Sequence, residues 1–178
     1  MELPGEVYLF NLSLLAITFS AVSALITLLR QAVAGKLSNF DVFLVNAYVS
    51  HGFVVAVNSV LPPLIAQSGL SERLVWIVAS GLAAVFLAAD VANTMWQRST
   101  ATKAPMPYPT LISFCLHWFG VLLLLANAVI PAVRGIFLFE AALTICLATV
   151  MWAFVRRIAS LRSDHRSEDW DTKKGKAK

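Results

Sequence analysis

Apolar residues fall along this chain in blocks of roughly 20, each long enough to cross about 30 Å of hydrocarbon as an α-helix, with short polar or Pro/Gly-bearing gaps between them. Five blocks stand out, at residues 7–29, 42–66, 74–96, 110–130 and 135–155. The pattern predicts an all-α integral membrane protein, a five-transmembrane-helix bundle over residues 1–157. A charged tail follows at 158–178, too poor in apolar residues to fold alone; it is expected to extend the last helix by a turn or two and then stay disordered.

Composition sharpens this. Of 178 residues, 58% are hydrophobic and 13% charged, where a soluble domain carries about a quarter charged. That excludes an ordinary soluble fold. A net charge of +4 would raise nucleic-acid binding in a soluble protein, but the basic residues here follow the gaps between blocks. Placing the first gap (Arg30, Lys36), the third gap (Arg98, Lys103) and everything from Arg156 onwards in the cytoplasm puts 12 of the 14 Lys and Arg residues inside, as the positive-inside bias requires. The N-terminus is therefore expected outside and the C-terminus in the cytoplasm. Glu2 and Glu6 precede the first block and its basic residues follow it, so that block is expected to be an uncleaved span. Tyr8, Trp76, Trp96 and Tyr108 fall near block ends, where amphipathic rings favour the headgroup region. A bacterial cytoplasmic (inner) membrane is the expected location.

The second and fourth blocks share a pattern. His51-Gly52-Phe53 precedes Asn58-Ser59-Val60-Leu61-Pro62, and His117-Trp118-Phe119 precedes Asn127-Ala128-Val129-Ile130-Pro131. A parallel repeat of helix hairpins 2–3 and 4–5 would produce it. The two histidines sit out of register with their asparagines by about one helical turn. Pro62, Pro63 and Pro131 are expected to kink or stop their helices.

Helical spacing gathers small and polar residues on single faces: Ser13, Ala16, Ser20, Ser23 and Thr27 on the first span; Ala83, Asp90, Asn93 and Thr94 on the third; Ser113, His117, Gly120 and Asn127 on the fourth; Glu140, Thr144 and Ala148 on the fifth. Such faces hold helices together in lipid by close packing and hydrogen bonds. Ionisable groups within a span are costly and therefore candidates for function. Four qualify: His51, Asp90, His117 and Glu140. Counted from the block ends, His51 lies near mid-membrane, and Asp90 and His117 lie about 10 Å from the cytoplasmic end. Asp90 and His117 are thus expected to pair, and Glu140 to sit at the outer mouth beside Arg134. Cys115 and Cys146 lie in apolar blocks without metal-type spacing, and are expected to be buried thiols.

Three functional classes remain open. A proton or ion pathway would use Glu140, Asn127, Asn58, His51, Asp90 and His117 in order of depth. An interaction or assembly subunit, as a homodimer or within a larger membrane complex, would need no chemistry beyond satisfying these groups. A b-type haem could be held between spans two and four by His51 and His117, with Phe53, Trp118 and Phe119 against the porphyrin. No GxSxG, HExxH, Walker-type or SxxK pattern occurs, so enzymatic activity is not expected. Beyond haem, no metal or cofactor is indicated, and the one certain partner is the lipid bilayer.

Overall fold

A computed structural model describes the backbone of residues 3–34, 39–102 and 105–175. It contains five helices in chain order: α1 (Glu6–Ala34), α2 (Asn39–Ala66), α3 (Glu72–Ala101), α4 (Tyr108–Val129) and α5 (Ile136–Gly175). All five are long and apolar enough to cross a membrane, and no strand occurs among the described residues. The helical backbone of α5 continues through the tail to Gly175, well past the turn or two expected, while the side chains of residues 160–178 lie outside the described set.

The helix limits follow local chemistry. Pro107 stands at the N-cap of α4 with Pro109 in its first turn, positions where a missing N–H costs nothing. Glu72 and Arg98 occupy the first and last turns of α3, complementing its dipole. Gly69, at φ +78°, makes the left-handed turn that ends α2. Pro62 and Pro63 do not stop α2, which runs on to Ala66, whereas α4 ends at Val129 before Pro131. The two repeat-like segments thus fold differently at their C-terminal ends.

Helices α2, α3, α4 and α5 pack in sequence and close on themselves through α2 and α5, and α1 lies outside this four-helix ring against α2 and α5. Fully buried Val55, Leu87, Leu124, Leu143 and Leu147 fill the centre. Large apolar side chains such as Val7, Val129 and Phe137 remain about three-quarters exposed, the surface a bilayer would cover.

The small-residue face of α1 packs on α2. Ser13, Ala16, Ser20 and Ser23 are buried, and Ser20 Oγ donates to the Ala16 carbonyl at 3.0 Å and towards the Val49 carbonyl at 3.4 Å. Gly52 makes this approach possible: a Cβ there would lie 3.0 Å from the Ala16 carbonyl oxygen and collide with Ser20 Oγ. Phe19, Tyr48 and Phe154 then join α1, α2 and α5 in edge-to-face contacts at 5.4–6.5 Å.

Several expectations are revised. Trp76 is not an interfacial ring; it is buried, packs on Phe139 at 5.7 Å and points its indole N–H at Glu72. Cys115 is exposed while Cys146 is buried. Asn93 and Ala148 face outwards, and α5 turns Phe139, Leu143 and Cys146 into the core. Thr144, from the polar stripe of α5, is bonded at 2.6 Å to Tyr8 of α1.

Replacing Gly52 by Val should force α1 and α2 apart and lower stability by about 1–3 kcal/mol, the usual cost of overpacking. Thermal unfolding of the purified variant measures this, and unchanged unfolding would contradict the packing described.

Candidate functional site

The three buried ionisable groups meet in the ring. His51 (α2) and His117 (α4) approach across the bundle with their Nε2 atoms 2.9 Å apart and their ring centroids 4.3 Å apart. Asp90 (α3) reaches His51, with Oδ2 at 2.7 Å from Nδ1. Its other oxygen, Oδ1, accepts from the Ser50 hydroxyl at 2.6 Å. His117 Nδ1 donates to the Ser113 carbonyl one turn earlier, at 2.6 Å.

These contacts fix the proton count. A carbonyl can only accept, so His117 carries its proton on Nδ1 and presents a bare Nε2 lone pair. The Nε2–Nε2 contact therefore needs a proton from His51. The Asp90–His51 contact needs one more. Three hydrogen bonds hold three protons, which makes the group net neutral whether the third proton rests on the carboxylate or on the imidazole. Neutrality is what a low-dielectric interior demands of buried ionisable groups. Removing one proton would leave either the two Nε2 lone pairs or the Asp90 oxygen and the His51 Nδ1 lone pair facing each other.

The expected Asp90–His117 pair is thus corrected: His51 stands between them. The depth estimates erred because α2 begins three residues before the predicted block and α3 runs five residues beyond it. The larger shift, at the end of α3, carries Asp90 to the level of His51.

The other candidates do not join this chain. Asn127 ties the far end of the bundle, donating from Nδ2 to Ser80 Oγ and accepting at Oδ1 from the Gly135 N–H, both at 2.8 Å. Arg134 does not pair with Glu140; it donates to the carbonyls of Asn127 and Ala128 at the C-terminal end of α4, where a cation meets the negative end of the dipole. One carboxylate oxygen of Glu140 and both polar atoms of the Asn58 side chain are buried without hydrogen-bond partners. Val55, Leu87 and Leu124 occupy the turns between the histidines and this far end. No hydrogen bond among the described residues links the two levels, so the expected polar track is broken by an apolar layer.

The histidines form the floor of a cavity of about 590 Å3 between α2, α3, α4 and α5. It lies at the bundle end where α2 and α4 begin and α3 ends, and Arg98, Arg156 and Arg157 are among its lining. The Ser50 contact and the cavity have no signal in the sequence: Ser50 adjoins His51, but its bond to Asp90 appears only once the partner helix is known. Ser113 shares a face with His117 one turn away on the same helix, and it is its backbone carbonyl that accepts. No group of three or more metal-ligating side chains occurs among the described residues. No protein-family model, curated protein or solved structure matches this chain.

Asp90→Ala should cost about 3–5 kcal/mol, because it strands a buried partner. The same change in a His51→Phe background should cost less, since the partner is already gone. A double-mutant cycle from unfolding in detergent reads this coupling, and additive costs would contradict the shared network.

Proposed function

We propose that this chain is a proton-coupled component of a membrane, with its N-terminus outside, its C-terminus in the cytoplasm and Asp90, His51 and His117 holding an exchangeable proton. The observation that carries the reading is the unbroken hydrogen-bonded chain from the Asp90 carboxylate through both imidazoles. Buried ionisable groups in series are how membrane proteins hold and pass protons. The chain opens on a cavity at the basic end of the bundle, which the charge bias makes the cytoplasmic end. Towards the other end, Val55, Leu87 and Leu124 close the path. That is the arrangement of a gated proton site loaded from one side: passage to the far side requires the apolar layer to part.

In reconstituted vesicles under a pH gradient, the wild type should carry protons and Asp90→Asn, which retains the shape but cannot release a proton, should abolish the flux. Absence of flux in the wild type under any imposed gradient would contradict the reading and favour a subunit without chemistry of its own.

A second reading, a b-type haem held by His51 and His117, is favoured by one feature. Both imidazoles lie at one level with Nδ1 anchored on Asp90 and on the Ser113 carbonyl, which is how ligating histidines are oriented by their surroundings. Iron between them would require Nε2 atoms now 2.9 Å apart to separate to about 4 Å, as metal–imidazole bonds are about 2 Å each. Protein expressed with ample haem should show a Soret band lost in His117→Ala if this reading holds. Colourless protein overturns it.

A further inference from the structure

The cavity has a chemistry that the proton chain does not use. Its walls are aromatic, with Phe43, Tyr48, Phe114 and Trp152 among the lining residues, while Arg98 and Arg156 come from the ends of α3 and the basic part of α5. Arg98 Nη2 donates to the Pro105 carbonyl at 3.3 Å, and the Arg156 guanidinium lies 5.2 Å from the Trp152 ring. Among the described lining residues the one acid is Asp90, and its two oxygens are engaged by Ser50 and His51. The charges of Arg98 and Arg156 are therefore not answered by a carboxylate among the described lining residues. A second observation concerns the wall beside the floor. Ser113 lines the cavity, and its Oγ has no hydrogen-bond partner while being shielded from solvent, a state that buried hydroxyls rarely adopt.

A cavity of about 590 Å3 falls in the range of small-molecule sites, which combine apolar walls with a few placed polar groups. An arginine is suited to an acid group because its planar fork donates two parallel hydrogen bonds and stays charged. An aromatic wall suits an apolar body and disfavours a fully hydrated ion.

We propose that this cavity binds an amphipathic organic anion, its acid group held at the mouth by Arg98 and Arg156 and its apolar body against Phe43, Phe114 and Trp152. The field of the arginines draws the anion to the mouth, and burial of its body retains it. The site requires no proton transfer, so it stands or falls independently of the proton-coupled reading.

Anilinonaphthalene sulfonate and its uncharged analogue phenylnaphthylamine differ by the acid group and fluoresce in apolar surroundings. Both are titrated into the full chain in phosphatidylcholine nanodiscs, with protein-free discs subtracted. The sulfonate should bind saturably, and Arg98→Gln with Arg156→Gln should weaken it about tenfold, the loss of a charge-assisted contact. The uncharged analogue should be indifferent to that change. Ala47→Trp, which fills the cavity from α2, should remove binding of both. Adding phosphatidylglycerol identifies the source: displacement of the sulfonate assigns the site to an anionic lipid headgroup, and retention assigns it to a soluble acid. Equal sulfonate affinity in the wild type and the arginine variant overturns the proposal, as does saturable binding retained in Ala47→Trp.

Discussion

Two imidazole nitrogens 2.9 Å apart inside a bundle cannot both present lone pairs; one proton must lie between them, and the rest of the molecule is arranged around that requirement. The Ser113 carbonyl commits His117 to one tautomer, and Asp90, steadied by Ser50, supplies or accepts the compensating proton on His51. The result is a neutral unit of three ionisable side chains from three helices. It resolves the cost of burying an acid and two bases in an apolar interior without a net charge.

This constraint also positions the helices. The imidazoles hold α2 and α4 across the ring, and Asp90 holds α3 against α2. On the outer face of α2 the Gly52 contact with α1 lies one residue from His51. A small residue for backbone approach on one side and a polar residue for hydrogen bonding on the other are the two means by which helices associate in lipid. Beyond the imidazoles the same ring opens into a cavity in one direction and closes with Val55, Leu87 and Leu124 in the other, so the proton unit sits at the boundary between an accessible half and a sealed half.

Much of the architecture is legible in the chain because length and hydropathy are local properties. All five helices coincide with apolar blocks, and the inward face of α1 follows from the spacing of Ser13, Ala16, Ser20 and Ser23. His51, Asp90 and His117 are recognisable as exceptional because charge within a span is exceptional. Their connectivity is not legible. It depends on how far α3 extends past Trp96 and on which face of α2 meets α3, and neither is encoded in a block boundary. Glu140 and Asn127 look equivalent to the other polar candidates in sequence. Asn127 instead anchors Ser80 and the turn at Gly135, while the expected partner of Glu140, Arg134, goes to the carbonyls that end α4, because unsatisfied backbone at a helix end competes for the same donor. The cavity is a property of four helices together and has no signature along any one of them.

The central claim, a proton shared between His51 and His117, is most directly tested by nitrogen-15 magnetic resonance of histidine-labelled protein in lipid. With three histidines in the chain, a His165→Gln background leaves only the signals of His51 and His117. The account predicts that His117 is protonated on Nδ1, and that one proton couples its Nε2 to the Nε2 of His51. Two imidazoles without mutual coupling would contradict it.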